Sequence, residues 1–385
     1  MCPFYTPNPL RGGAASFVPQ VRDFGGHVEG RRCGTPRTDA GQGDQPCEAL
    51  SQRITAFTRH PWRYDTDIHT FEHSNKSMDF SIVTPSFKQL DYLACCIASV
   101  ADQEEVSVEH IVQDAGSPGI EEFAEKTAER LLRQYGGERV KTLEPYELVH
   151  LRTSRGYSLR IFKEKDEGMY DAINKGMKKG TGKVRAYLNC DEQYLSGALD
   201  VVQEFLKNRL NVEVVLGDVV IVGTDGEAIC HRKMVKPGLA HTWTCHFAAL
   251  TAGIFFRENL LHEGLLFDTS YRVASDAEWF VRVLRSGKKI EPLQTNTSTF
   301  MESGENLGLS PTAKEERERL DASAPLFFSK LKILWVIVHR IKKLISGAHK
   351  SDDVAYEIYL PKGDKRKAFT AKRLRTTWPG RMLNF

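Results

Sequence analysis

Short apolar strands alternate with helices through the middle of this chain. Residues 80–87 read as a buried strand halted by Pro85, and apolar side chains then recur at helical spacing from Leu90 to Val100. A second strand at 108–113 leads into small residues that let the backbone approach a ligand closely, and another helical pattern follows. This alternation predicts an α/β domain with a mostly parallel central sheet, flanking helices and right-handed crossovers.

Acidic residues stand at the ends of these predicted strands. Asp114 follows the strand at 108–113, and the apolar segment 186–188 leads into Asn-Cys-Asp-Glu, which ends in Asp191 and Glu192. Ligands bind at the carboxyl ends of strands in open α/β sheets. The diphosphate of a nucleotide sugar needs a divalent cation, and carboxylate oxygens can hold one. The order of these segments therefore favours a nucleotide-sugar site.

Five ordered blocks resemble the inverting glycosyltransferases of family 2, which have the GT-A fold. The resemblance covers about 80–293, and its blocks are Thr84-Pro85-Ser86, Asp114-Ala115-Gly116-Ser117, the stretch 166–176, Asn189-Cys190-Asp191-Glu192 and Ser275-Asp276-Ala277-Glu278. It implies transfer of a sugar from a nucleotide-diphosphate sugar to an acceptor hydroxyl with inversion, using Mg²⁺ or Mn²⁺. A polysaccharide or a lipid-linked glycan is the expected acceptor.

The resemblance also implies which residues bind the nucleoside. Thr84, Pro85 and Ser86 would line the nucleoside pocket. Asp114 would accept a hydrogen bond from the base, and Asp166 would also face the nucleotide.

The remaining blocks imply the metal ligands and the catalytic base. Asp191 and Glu192 stand where the family has metal-binding acids, usually two aspartates, and Asp191 would also contact the nucleotide sugar. Glu192 keeps the charge but adds a methylene, so either carboxylate can be the one that ligates the metal. Asp276 matches the family's catalytic base, since a carboxylate within hydrogen-bond reach can take the proton of a sugar hydroxyl. Glu278, deeper in the same predicted helix, is the alternative base.

These residues also have purely structural interpretations. Asp114 is a common turn former, while Asp171 and Asn174 suit the start of a helix. The adjacent acids at 191–192 could form a solvated strand end. The charge of Asp276 also suits the first turn of a helix.

The sequence between the metal and base blocks is less specific. Residues 212–222 read as a strand and 224–227 as the turn of a hairpin. His241, Cys245 and His246 match no zinc spacing, which favours roles in the core or in an acceptor pocket. Because residues 246–257 resemble the family segment under the acceptor, His246 is a weak candidate for acceptor contact.

Composition suggests three regions. The first 50 residues contain eight Gly and six Pro, which predicts a flexible, disordered leader over 1–77, with Met78 as an alternative start. A GT-A glycosyltransferase domain is expected at 78–325 and a basic amphipathic segment at 326–385. The eight cysteines form no metal-type pairs, so reduced and mostly buried thiols are expected in the core.

The C-terminal segment carries most of the positive charge. From 330 to 385 there are 14 Lys and Arg against four acids. Within 331–345, one helical face collects Leu331, Leu334, Trp335, Val338, Ile341 and Ile345. This pattern favours a helix on an anionic membrane surface, with a helix packed on the catalytic domain as the alternative. No nucleic-acid motif accompanies it.

No apolar run approaches the roughly 18 residues of a membrane span, and no export signal is recognisable. The expected location is therefore cytoplasmic, peripheral at the inner face of the cell membrane. Two other functions remain open. A nucleotidyltransferase usually has a Gly-rich basic loop near the first strand, which 84–89 lacks. The other is a non-catalytic nucleotide-sugar-binding membrane scaffold, in which Glu192 in place of the family's aspartate would mark the loss of metal chemistry.

Overall fold

The computed structural model describes residues 78–142, 144–302, 308 and 310–379, so the predicted leader at 1–77 lies outside the described residues. The strands are β1 (Phe80–Ser86), β2 (Val108–Asp114), β3 (Glu138–Arg139), β4 (Glu147–Arg152), β5 (Tyr157–Lys163), β6 (Val184–Tyr187), β7 (Glu192–Tyr194), β8 (Val214–Val222), β9 (Ala228–Arg232), β10 (Ile254–Arg257), β11 (Ile290–Met301), β12 (Asp352–Ile358) and β13 (Lys367–Leu374). The helices are α1 (Leu90–Ala101), α2 (Ile120–Tyr135), α3 (Met169–Lys179), α4 (Ala198–Lys207), α5 (Leu239–Thr244), α6 (Asn259–His262), α7 (Ser275–Arg285), α8 (Pro311–Ala322), α9 (Leu326–Lys330) and α10 (Lys332–Ile345).

One large sheet has the order β3-β4-β5-β2-β1-β6-β10-β8-β11-β7, with β9 paired to β8. The central strands β5, β2, β1 and β6 are parallel. This confirms the predicted α/β class with a parallel centre. The whole sheet is mixed, because β4 and β10 run against their neighbours. The predicted hairpin is also present, formed by β8 and β9.

The central strands β1, β2 and β6 are buried along their whole length, and β5 is buried except for its last residue, Lys163. In β1, Phe80 and Ile82 join a core formed with α1, α2 and α4, whereas Val83 packs on the opposite side with α3 and α7. The described cysteines are free, and four of the five are buried, as the sequence predicts.

Helix α3 lies unusually close to β1. A Cβ added to Gly176 would lie 2.4 Å from Cγ1 of Val83. Only glycine permits this approach without a shift of the helix or the strand. The glycine that ends the 166–176 block therefore serves packing, and it fixes α3 against the strand that leads to the site.

We expect Gly176→Ala to destabilise the protein by about 1–3 kcal/mol, because the added methyl group overlaps Val83 in a packed core. Urea unfolding followed by circular dichroism measures this change. Lys178→Ala, at an exposed position of the same helix, should stay within about 0.5 kcal/mol of the wild type. Equal stability of the two variants would show that α3 shifts at little cost.

The predicted C-terminal segment comprises two different structures. Residues from β12 and β13 form an antiparallel hairpin that packs on β8 and β11 through a shared apolar cluster. Arg366 donates to both oxygens of Asp102 at the end of α1, at 2.6 and 2.7 Å, and Tyr359 donates to the same carboxylate at 2.8 Å. The hairpin is therefore part of the folded domain.

Helices α9 and α10 form the other part. Only His339 of α10 is buried, and α10 lies against α5. Leu334 and Val338 are 44% and 36% exposed, so the apolar face of α10 is largely open to solvent rather than packed on the domain. Within the described ranges, no helix is both long and apolar enough to cross a bilayer.

Candidate active site

The parallel centre of the sheet brings the predicted donor-binding residues to one edge. Ser86 at the end of β1 lies opposite Asp114 at the end of β2. The loop after β6 runs beside β1, because Cys190 Sγ lies 3.2 Å from the carbonyl oxygen of Pro85. Asp191 follows directly, so the predicted nucleoside and metal residues are neighbours.

Asp114 is fully buried and organises the turn after β2. Its Oδ1 accepts hydrogen bonds from the amides of Gly116 and Ser117 at 2.9 and 2.6 Å. Its Oδ2 accepts from the hydroxyls of Ser86 and Ser117, both at 2.7 Å. These four bonds fill the usual capacity of a carboxylate. The turn-forming interpretation is therefore realised, and a hydrogen bond from a base would have to replace one of these bonds.

Thr84 and Asp166 differ in their access to this edge. The Thr84 hydroxyl is buried and lies 2.9 Å from His110 Nε2, so it is engaged in the protein interior. Asp166 is half-buried and accepts a hydrogen bond from the Gly168 amide at 2.9 Å. Burial raises the pKa of Asp166, with the charge of Asp114 among the further causes, which places the two acids in one region.

Asp171 and Asn174 have the structural roles that the sequence left open. Asn174 donates to the Phe267 carbonyl at 2.8 Å and accepts from the Phe267 amide at 2.9 Å, which ties α3 to the loop before α7. Asp171 accepts from the Glu167 amide and pairs with Lys175 at 3.2 Å. Both side chains stabilise the entry to α3.

Glu192 is a fully buried acid with an unsatisfied oxygen. Its Oε2 accepts from the Asn189 amide at 2.8 Å, while Oε1 has no partner among the described residues. Burial raises its pKa to about 8, and the negative charges of Asp191 and Asp276 add to this. The pKa of Asp191 is also raised, mainly by burial.

This donor set fits a divalent cation. An unpaired, buried carboxylate oxygen beside a second carboxylate is costly, and hard cations such as Mg²⁺ and Mn²⁺ prefer oxygen ligands. The raised pKa values indicate that negative charge is destabilised here and that a cation would relieve it. Glu192 presents the unsatisfied atom, Oε1.

Asp276 lies in the first turn of α7, where Oδ1 accepts from the Ala277 amide at 2.8 Å. Burial raises its pKa to about 6, whereas the Ala277 amide, the Tyr170 hydroxyl and the charge of Arg317 oppose that rise. A small cavity lined by apolar residues, including Phe267 and Trp279, provides the low-polarity environment. A carboxylate with this pKa is ionised at neutral pH and basic enough to accept a proton.

The alternative base is already paired. Glu278 forms a two-pronged ion pair with Arg282, with Nε and Nη2 of the arginine each 2.8 Å from a carboxylate oxygen. The Arg282 guanidinium also donates to the Leu266 carbonyl at 2.6 Å. The geometry thus favours Asp276 over Glu278 as a proton acceptor.

Sequence reasoning missed the residue that positions this turn. Glu316 of α8 is buried and accepts from three consecutive backbone amides, those of Arg272, Val273 and Ala274, at 2.6, 2.9 and 2.9 Å. These amides lead directly into α7. Glu316 therefore fixes the start of the helix that carries Asp276, although its local sequence gives no sign of this contact.

Two further residues that the sequence did not single out lie on α8 and α10. Arg317 of α8 acts electrostatically on Asp276, and His339 of α10 joins His241 and His246 in one cluster. The sequence did not single out Arg317 or His339, because both come from helices far along the chain from the five blocks. Neither has a local motif that distinguishes it from a residue of a solvated helix.

No family model matches the chain. It is 26% identical over 278 residues to a PGL/p-HBAD biosynthesis glycosyltransferase of Mycobacterium bovis, covering 70% of this chain and 93% of that protein. A Mycobacterium tuberculosis protein of the same description matches equally well.

Similar solved structures include S. aureus TarS in complex with UDP-GlcNAc, at 14% identity and a TM-score of 0.46, covering 70% of this chain and 75% of that one. Another is the mannosyltransferase PcManGT from Pyrobaculum calidifontis in complex with GDP-Man and Mn²⁺, at 13% identity and a TM-score of 0.40. The match covers 71% of this chain and 80% of that one. The mycobacterial sequence relatives are glycosyltransferases, and they support sugar transfer as the general activity of this chain.

Proposed function

We propose that this protein is an inverting GT-A glycosyltransferase of family 2, which transfers a sugar from a nucleotide-diphosphate sugar to an acceptor hydroxyl. The observation that carries this proposal is the buried Glu192, which follows the end of the parallel strand β6 and on which the charges of Asp191 and Asp276 both act. Each of these three carboxylates has a raised pKa caused mainly by burial. Two of them have the donor atoms for a metal ion, and the third suits a proton acceptor.

In this mechanism Asp276 takes the proton of the acceptor hydroxyl while the hydroxyl oxygen bonds to the anomeric carbon. The bond from that carbon to the diphosphate oxygen breaks, and the nucleoside diphosphate leaves with the electron pair. A single displacement inverts the anomeric configuration. Asp191 and Glu192 would hold Mg²⁺ or Mn²⁺, which when bound neutralises the leaving diphosphate. The nucleoside would lie over Thr84, Pro85 and Ser86, with Asp114 and Asp166 beside it.

Incubation with Mn²⁺ and a panel of nucleotide sugars tests this proposal, with donor hydrolysis and the anomeric configuration of the product measured by NMR. A product of inverted configuration supports it. Retention of configuration, or transfer of the nucleotide itself, contradicts it. Binding of a donor without hydrolysis or transfer would favour the non-catalytic scaffold.

The pH dependence of transfer should report Asp276. At saturating Mn²⁺ we expect kcat/KM to rise with a midpoint near 6, because burial raises the pKa of Asp276 to that value and only the ionised form accepts a proton. Tyr170→Phe removes a hydroxyl group that lowers this pKa, so the midpoint should move upward. A pH profile measured for both enzymes tests this prediction. A midpoint that Tyr170→Phe leaves unchanged would show that a group other than Asp276 titrates.

We further propose that α9 and α10 rest on an anionic membrane at its cytoplasmic face, where a lipid-linked or polysaccharide acceptor of the cell envelope is made. These helices expose Leu326, Phe327, Ile333, Leu334, Ile337, Val338, Ile341, Leu344 and Ile345. Exposed basic residues, Lys330, Arg340 and Lys342, accompany them. An apolar face with neighbouring cations suits the headgroup boundary of anionic lipid.

Replacing Ile337 and Ile341 with Glu should release the protein from anionic vesicles, because both side chains are about half exposed on the proposed face. Cosedimentation measures this, and wild-type binding should weaken but persist as salt rises. Leu210→Glu is the matched control, since Leu210 is 82% exposed but lies between α4 and β8. Equal binding by the double variant and the control would remove the membrane proposal.

A further inference from the structure

Val273, three residues before the proposed base Asp276, is held on both sides by buried side chains of other helices. Its carbonyl oxygen accepts a hydrogen bond from the hydroxyl of Tyr170 in α3, at 3.0 Å. Its amide donates to Oε2 of Glu316 in α8, at 2.9 Å. Tyr170 and Glu316 are only 2% and 8% exposed. Two helices from distant parts of the chain therefore hold one residue of the turn that leads into α7.

The contact from α8 sets the direction of the backbone in this turn. Arg272 donates to Oε1 of Glu316, and the amide of Ala274 shares Oε2 with that of Val273. Hydrogen bonds from amides to a carboxylate are stronger than those between neutral groups. Consecutive amides reach one carboxylate only when the backbone curls around it. Glu316 therefore determines how the chain enters α7.

The contact from α3 reaches the turn from the side of the donor site. Tyr170 lies in the first turn of α3, four residues after Asp166, which is proposed to contact the nucleotide. Its ring stacks on Phe267 with centroids 5.5 Å apart, and this packing fixes the hydroxyl toward Val273. A short path of covalent and hydrogen bonds thus runs from Asp166 through Tyr170 and Val273 to Asp276.

The segment before α7 has further anchors that do not involve this tyrosine. The indole of Trp279 donates to the Leu265 carbonyl at 2.8 Å. Arg282 donates to the Leu266 carbonyl at 2.6 Å. Loss of the Tyr170 hydroxyl leaves both of these hydrogen bonds in place. We therefore expect its effect to be confined to the turn itself.

We propose that Tyr170 and Glu316 are positioning residues, which together hold Asp276 in place relative to the donor site. This inference rests on the proposed function, in which Asp276 takes the proton of the acceptor hydroxyl. A base must lie within hydrogen-bond reach of that proton, and a displacement of about 1 Å can cost about 10² in rate. Because the α3 contact comes from the segment that carries Asp166, the position of the base depends on the segment that binds the donor.

Tyr170→Phe tests the contact from α3, because it removes one hydroxyl and keeps the ring that stacks on Phe267. With the donor that the nucleotide-sugar panel identifies, kcat should fall about ten- to a hundredfold while the donor KM stays within about twofold. The loss should persist at about pH 8.5, where Asp276 is ionised in both enzymes. Recovery of the wild-type kcat at that pH would limit Tyr170 to an effect on the pKa and overturn the positioning role.

Tyr356→Phe is the matched control. Tyr356 is a buried residue of β12 whose hydroxyl donates to the Gly226 carbonyl at 2.7 Å, so the substitution removes the same kind of hydrogen bond from the hairpin. Both variants should lower the melting temperature by a similar few degrees. Only Tyr170→Phe should lower kcat by more than about twofold. An equal fall of kcat in the two variants would indicate a general loss of stability and overturn the proposal.

Amide hydrogen exchange, followed by mass spectrometry of the ligand-free, full-length protein, tests the turn without donor or acceptor. Glu316→Gln should speed exchange of the amides at 272–274 about tenfold or more, because it replaces the carboxylate that accepts from all three. Tyr170→Phe should also speed exchange of these amides, although its hydroxyl bonds to none of them. Glu315→Gln changes the neighbouring exposed acid and should leave their exchange rates unchanged.

Exchange at 272–274 that Tyr170→Phe leaves at the wild-type rate would show that the two contacts act separately. That result would overturn the proposal even if Glu316→Gln does not fold. Where it folds, the double variant should have a kcat close to that of the slower single variant, because both substitutions act on one turn. Losses of kcat that multiply would contradict this. A wild-type protein that turns over no nucleotide sugar would refute the proposed function, whereas the exchange rates would still report whether α3 and α8 hold this turn together.

Discussion

Asp276→Asn should retain donor binding but lose turnover by about 10²- to 10⁴-fold, the usual contribution of general base catalysis. The substitution removes a proton acceptor and changes almost no volume, so the start of α7 should stay in place. Single-turnover kinetics measure the chemical step, and calorimetry with a non-hydrolysed donor analogue measures binding.

Glu278→Gln is the matched control, because it changes the neighbouring acid of the same helical turn. Glu278 pairs with Arg282. Its replacement should cost some stability but leave the chemical step close to that of the wild type. Loss of turnover in Glu278→Gln with normal turnover in Asp276→Asn would reverse the assignment, and equal loss of donor binding and turnover in Asp276→Asn would indicate a structural role.

The second large effect concerns the adjacent acids Asp191 and Glu192. EDTA should abolish transfer, and Asp191→Ala should weaken donor binding by at least about tenfold in Mn²⁺ while changing metal-free binding little. The reason is that the pair acts on the diphosphate only through the cation. Donor titrations with and without Mn²⁺ measure the difference.

Asp200→Asn provides the comparison, since Asp200 is an exposed acid in the first turn of α4. It should leave Mn²⁺-dependent binding unchanged. Glu192→Gln shows which carboxylate ligates the metal, because it keeps the shape and removes the charge. Undiminished transfer in EDTA would contradict the metal role of both residues.

The first strands and helices of the fold could be predicted from local sequence patterns. The apolar run and helical spacing from 80 to 100 predict β1 and α1, because each pattern depends only on neighbouring residues. The position of Asp114 and Asp191 at the sheet edge follows from the parallel arrangement. That Asp114 would be saturated by four hydrogen bonds could not be foreseen, since rotamers and hydroxyl directions decide it.

Contacts between distant segments could not be predicted. Glu316 supports the α7 turn from 42 to 44 residues away, and His339 meets His241 only because α10 folds back on α5. The tail from 326 to 385 was expected to be one basic amphipathic segment. The segment was interpreted from its positive charge, and the alternating apolar residues of β12 and β13 were not recognised as strands. Their buried side chains pack on the sheet.

The hairpin of β12 and β13 also determines when this protein can finish folding during synthesis. Arg366 meets Asp102 across 264 positions of sequence, and Tyr356 donates to the Gly226 carbonyl at 2.7 Å. A ribosome must therefore release the chain as far as β13 before the apolar cluster under the hairpin is covered. Until then the nascent domain presents that surface to chaperones, and a stop codon placed ahead of β12 would leave it permanently uncovered.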